Sequence, residues 1–276
     1  MLRLLPDALA ASLAMRLAGI PRPPKTDPRD VELLSRGRPF EFGQASPKCG
    51  WEWGQGKLVV LVHGWSGRAA QLAPLACSIA KAGFRTLAFD ATGHGESGGR
   101  HFGFDVLRAD LVELLEHAAQ PAHAILGHSA GGLAAMSGSA MGQVRADRYI
   151  CIAAPLYPYP PIDTLRKVLH LTEGPLDLCR ERFASQFSVA DDQLRQGWSY
   201  SGDPDRRTLL VYDQQDGRVA HTDADRIQQL RRAEIIKTDG FGHNGLLRSE
   251  QLMEKVVRFL SEPDQSVHPT HQELVR

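Results

Sequence analysis

The sequence predicts an α/β fold: a mostly parallel sheet with helices on both faces and a small helical insertion. From Lys57 onward, short β-branched or aliphatic runs alternate with helical segments, the rhythm of strands joined by crossover helices. One interval, residues 155–207, is far longer than a crossover needs and marks the insertion. At 276 residues with 42% hydrophobic content the chain can bury a sizeable core, which suits one large domain better than two.

In chain order, residues 1–38 form an N-terminal helical segment. Leu2, Leu5, Leu9, Leu13 and Leu17 recur every three or four positions, describing a helix with one apolar face. The expectation is that this face packs on the body; membrane-surface contact or a lid-like role are the alternatives. Asp7 and Arg16 interrupt the run, so it does not read as a signal peptide, and no uninterrupted apolar stretch reaches the roughly 18 residues of an integral membrane span.

The core is expected over 39–154 and 208–262. Segments 40–42 and 49–53 should form an antiparallel, hairpin-like edge, closed onto the next strand by the Gly54-Gln55-Gly56 turn. Parallel strands follow at 57–62, 85–89, 123–126, 149–153, 208–212 and 234–237. Helices are expected at 69–82, 104–118, 131–142, 223–231 and 249–261. The insertion opens with Pro155, Pro158, Pro160 and Pro161, then reads as helices over 162–171 and 176–187. Placed at the carboxyl ends of the strands, it would act as a cap and hold water out. Its aromatics Phe183, Phe187, Trp198 and Tyr200 either line an acyl pocket or pack the cap to the body. Residues 263–276 are polar and aperiodic, a loose tail.

Lysine plus arginine and aspartate plus glutamate balance at 32 each, so no global field steers the chain to nucleic acid, and a small, roughly neutral substrate fits better. Cys49, Cys77, Cys151 and Cys179 lack C-x-x-C spacing and are expected as reduced thiols in a cytoplasmic protein. No H-E-x-x-H or Cys/His spacing suggests a metal, and no cofactor is expected.

The chemistry begins at Gly127-His128-Ser129-Ala130-Gly131, a G-x-S-x-G pentapeptide between an apolar run and a small-residue helical stretch. A strand-turn-helix elbow holds its central residue in strained geometry, so the residues two before and two after must be small. The elbow would present the Ser129 hydroxyl as nucleophile and aim the Ala130 amide at a developing oxyanion. After the first parallel strand, the His63-Gly64-Trp65 turn can offer the Trp65 amide as second donor. Serine activation needs an imidazole and a carboxylate to orient it. His243 lies between glycines past the 234–237 strand, and Asp216 lies past the 208–212 strand. Asp213 is the rival acid, but it stands at the strand terminus, where a carboxylate more often makes a turn contact. His94 reads as part of a structural turn that shapes the site, and His63 and His128 as holding loops through hydrogen bonds rather than acting as bases.

With these residues in place the chain resembles the α/β-hydrolase superfamily over about Phe40 to Leu260. The resemblance rests on Leu61 to Trp65, Phe89 to Ser97, Gly127 to Gly132, Asp216 in D-Q-Q-D-G-R-V, and Gly240 to His243, in the superfamily's order. In particular it looks like a bacterial branch related to lysophospholipase-like and prolyl-aminopeptidase-like hydrolases. Thr92 stands where proline is usual, and Tyr212 where a histidine often precedes the aspartate. The resemblance implies an α/β-hydrolase fold and a serine esterase acting on a small acyl ester or thioester through a Ser129-Asp216-His243 triad; the chain is expected as a monomer or homodimer, which the sequence does not decide between. A thioesterase or acyltransferase would use the same parts, as would a C–C bond hydrolase. A non-catalytic small-ligand binder is the reading from another class.

Overall fold

The computed structural model describes residues 4–22, 25–44 and 46–263. The tail expected over 263–276 lies outside them apart from its first residue, as does Leu2 of the leucine stripe. The chain opens with helices α1 (Asp7–Ala18) and α2 (Pro28–Leu34), then strands β1 (Arg38–Phe42), β2 (Lys48–Trp53) and β3 (Leu58–Val62). Helix α3 (Ala73–Lys81), β4 (Arg85–Phe89), α4 (Phe104–Ala118), β5 (Ala122–His128), α5 (Ala130–Ala140) and β6 (Ala146–Ile152) follow. Between β6 and β7 (Arg207–Asp213) lie α6 (Tyr159–Leu169), α7 (Glu173–Ser185) and α8 (Asp191–Arg195). Helix α9 (Asp223–Leu230), β8 (Ala233–Thr238), α10 (Gly242–Gly245) and α11 (Glu250–Ser261) complete the described chain.

All eight strands join one sheet in the order β1-β2-β4-β3-β5-β6-β7-β8. Only the β1/β2 and β2/β4 pairs are antiparallel. The inner strands are apolar along their whole length because both sheet faces are covered: every residue of β3 and β5 is buried. Side-chain alternation divides β3 between two cores. Leu58, Val60 and Val62 join the layer holding α4, α5 and the insertion, while Val59 and Leu61 face α3 and α11.

The structure corrects two expectations. The edge hairpin does not close onto the next strand in sequence; β2 pairs with β4, which lies outside β3. The Gly54-Gln55-Gly56 turn instead carries the chain past the start of β4. Gly56, at φ +114°, runs so close to Gly83 that a Cβ there would sit 2.2 Å from its carbonyl oxygen. The N-terminal helix forms, but its leucine stripe is not its packing face. Helix α1 lies on α7 and α6, and the residues it buries completely are Ala10, Ala11 and Ala14. Small side chains let two helices approach closely, and the Cys179 thiol of α7 reaches the Ala11 carbonyl at 3.9 Å.

The helix expected from Ala69 begins as a 3-10 turn (Ala69–Leu72) before α3, whose first turn accommodates a proline. Helix α6 starts at Tyr159 for the same reason, its prolines occupying the first turn. Phe183, Phe187 and Tyr200 are buried in the core and do not line the cavity described below.

Candidate active site

Ser129 occupies the junction between β5 and α5 with φ 54° and ψ −120°. A non-glycine residue in that region is strained, and the neighbours hold it there. The Ser129 amide donates to the Ile152 carbonyl at 2.8 Å. A Cβ on Gly131 would lie 2.3 Å from the Val62 carbonyl oxygen, so nothing larger than glycine fits where the helix passes β3. Ala130 is the first residue of α5, where the leading amides have no partner inside the helix and the helix dipole favours negative charge.

The loop after β3 runs against this elbow. A Cβ on Gly64 would stand 3.0 Å from the Ser129 Cβ, so glycine permits the close approach. Two buried histidines fix the loop. His63 places Nδ1 2.8 Å from the Gly64 carbonyl and accepts the Ala91 amide at Nε2, 3.0 Å. His94 places Nδ1 3.0 Å from the Thr92 carbonyl and accepts the Ser66 amide at Nε2, 3.2 Å. Since a carbonyl only accepts, both rings carry their proton on Nδ1. Burial pushes His63 down to about 4 and His94 to about 3, so both are neutral near pH 7. The Trp65 indole donates to the Ala18 carbonyl at 3.2 Å and packs on Phe102 and Phe104.

His243 lies in α10, with Nδ1 2.7 Å from Asp216 Oδ2. The Asp216 side chain is only 1% exposed. Burial acts to raise its pKa, but the hydrogen bond and charge of His243, with the Val219 and Arg218 amides on Oδ1, outweigh it and hold the carboxyl below its ordinary value. An ionised carboxylate only accepts, so Nδ1 carries the proton and Nε2 is the nitrogen left for chemistry. Asp213 is differently engaged. Its carboxylate accepts from Thr238 Oγ1 at 2.7 Å and from the Phe241 and Gly242 amides at 3.1 and 3.0 Å, shaping the turn that delivers His243.

Ser129, Ala130, Gly64, Trp65 and His243 line one cavity of about 490 Å³, with Asp216 behind His243. The loop-holding role expected of His128 takes a specific form, and two walls of the cavity were not assigned from the sequence. His128 Nε2 donates to the His243 carbonyl at 3.0 Å, and burial drives this ring to about 3. Leu17, Ile20 and Arg22, at and beyond the end of α1, form one wall of the cavity. Leu165, Val168 and Leu169 of α6 form another.

A profile of the alpha/beta hydrolase family matches residues 59–276. The chain belongs to that family. Among relatives, the non-heme chloroperoxidase of Kitasatospora aureofaciens is 35% identical over 83 residues, 29% of this chain and 30% of the peroxidase. Among solved structures, an esterase of Pyrococcus furiosus superposes with a TM-score of 0.65 at 19% identity, covering 88% of this chain and 97% of that one. An esterase of Exiguobacterium antarcticum gives 0.63 at 17% identity, over 82% and 100%. At such identities the likeness speaks for the fold.

This alpha/beta hydrolase accommodates both departures from the resemblance. Thr92 donates through its amide and hydroxyl to Asp110 at 2.7 and 2.9 Å, the first of which a proline could not make. Tyr212 is buried and its hydroxyl donates to the Ala154 carbonyl. Among the described residues no group of three or more histidine, cysteine or carboxylate side chains could hold a metal, and no helix is long and apolar enough to cross a membrane.

Proposed function

We propose that the protein is a serine hydrolase that cleaves a carboxylic ester of a small molecule through an acyl-enzyme intermediate. The observation that carries this reading is the 2.7 Å contact between Asp216 and His243, on a histidine that shares its cavity with Ser129 and the Trp65 and Ala130 positions. Ser129 attacks the ester carbonyl while His243 Nε2 takes its proton, and Asp216 steadies the imidazolium. The Ala130 and Trp65 amides hold the oxyanion, each such donor typically worth about 3 kcal/mol of barrier. His243 then protonates the leaving alcohol, and a water activated by the same nitrogen releases the acid and restores Ser129.

Residues 155–207 serve as the cap over this reaction. The cavity volume of about 490 Å³ and its apolar walls suit an acyl chain. The four free cysteines fit a reducing compartment, in keeping with a cytoplasmic protein. The test is turnover of p-nitrophenyl acyl esters by wild type and by Ser129→Ala. The variant should lose activity with an almost unchanged melting temperature; full retained activity would overturn the assignment. Running the same acyl series as thioesters shows which leaving group the site prefers.

A further inference from the structure

Helix α1 buries alanines and leaves leucines in water. Leu9 is 48% exposed and Leu17 37%, and Leu4 just ahead of the helix is 89% exposed. Ile20, past its end, is 45% exposed, and Val168 on α6 is 59% exposed. Leu17, Ile20 and Val168 also line the cavity that contains Ser129. Half-exposed aliphatic side chains are therefore gathered at the mouth of that cavity and along the adjoining helix, an arrangement that marks a contact surface rather than scattered apolar residues.

The charges around this rim are predominantly basic. Arg22, Lys167 and Arg218 line the cavity against a single acid, Asp163. Arg16 stands exposed on α1, seven positions from Leu9 and so on the same helix face. Among the described residues, no carboxylate is paired with Arg16, Arg22 or Lys167. A second copy of the chain fits this face poorly, because a two-fold contact would bring the same cations together. Hydrocarbon behind anionic headgroups matches both features.

We infer that this face docks on an anionic lipid surface. Leu4, Leu9, Ile20 and Val168 enter the headgroup boundary, Arg16, Arg22 and Lys167 meet lipid phosphates, and the cavity opens toward the bilayer. An amphiphilic ester could then pass from membrane to cavity without crossing water. The inference does not depend on the catalytic reading, since binding is measured without turnover.

The experiment is co-sedimentation of the full chain with large unilamellar vesicles of phosphatidylcholine alone and of phosphatidylcholine mixed equally with phosphatidylglycerol. Wild type should bind the mixed vesicles more strongly and release as salt is raised. Arg16→Gln should weaken partitioning about fivefold, the expected share of one cation at an anionic surface. Leu4→Gln with Leu9→Gln should weaken it by a similar or larger factor, on the order of fivefold or more, with melting temperature and hydrolysis of a soluble short-chain ester unchanged. Absence of binding to the mixed vesicles, equal binding to both kinds, or binding indifferent to these substitutions would overturn the inference. So would self-association without lipid that the leucine variant abolishes, which would assign the face to a second copy.

Discussion

Two aspartates three positions apart show how a carboxylate's partners decide its task. Asp213 accepts from three backbone amides and the Thr238 hydroxyl, whereas Asp216 meets two amides and the His243 imidazole. Their substitution effects should therefore differ in kind. Asp216→Asn keeps the shape but can present its amide N–H to Nδ1, favouring the wrong tautomer, and should lower kcat on the order of 10³-fold or more with little loss of stability. Asp213→Asn should chiefly cost stability, about 1 to 3 kcal/mol, by weakening several buried hydrogen bonds. Ester kinetics beside urea unfolding check both; a catalytic collapse in Asp213→Asn with Asp216→Asn active would exchange the roles. The sequence favours Asp216 because Asp213 stands at a strand end, where turn contacts are the rule. The sequence marks His128 as a loop-holding residue but does not name its partner, since the bond joins a side chain and a backbone carbonyl 115 positions apart.

Among elements, the insertion and the loop carrying Asp216 are tied through one phenol. Tyr159, at the start of α6, donates to Asp223 Oδ2 at 2.8 Å and accepts the Ala220 amide at 2.9 Å. The same Asp223 oxygen takes the Leu156 amide at 3.0 Å. Burial, with Asp223 beside it, holds the Tyr159 phenol far above its usual range, so it stays a donor. Ala220 adjoins Val219, whose amide binds Asp216. Tyr159→Phe should thus cost about 1 kcal/mol of stability and lower kcat several-fold while KM for a short ester barely moves; unaltered kcat would sever the insertion from the acid loop. The alternating strands and the elbow were legible in the sequence because period and sterics are local properties. The pairing of β2 with β4 was not, because a crossing connection leaves no periodic trace. Nor was the inward face of α1: leucines at helical spacing outweigh alanines on any hydrophobic scale, but α7 approaches closely enough that alanine packs better.

Across the whole molecule, three buried histidines couple stability to pH. His63 is lowered from 6.5 to about 4, and His94 and His128 to about 3. Each stays neutral in the folded state where the unfolded chain would take a proton, so its stabilisation is present above about pH 6.5 and is lost as pH falls toward those lowered values. Together they should steepen unfolding by up to about 4 kcal/mol per pH unit near pH 5. Buried Asp30, Asp90, Asp110 and Asp223, raised by burial, act in the opposite sense at the acid end. Urea unfolding at pH 7, 6 and 5 should show this decline, and His94→Gln should remove about one proton from the slope; a stability flat across that range would contradict it. The proposed enzyme draws every part together, placing an elbow after β5, an imidazole after β8 and an acid after β7 around one cavity. Its most direct test is labelling by a fluorophosphonate probe followed by peptide mass mapping. The account predicts one phosphonyl adduct on Ser129, absent from Ser129→Ala and strongly reduced in His243→Ala. A folded wild-type protein that never labels, or an adduct on another serine, would contradict it.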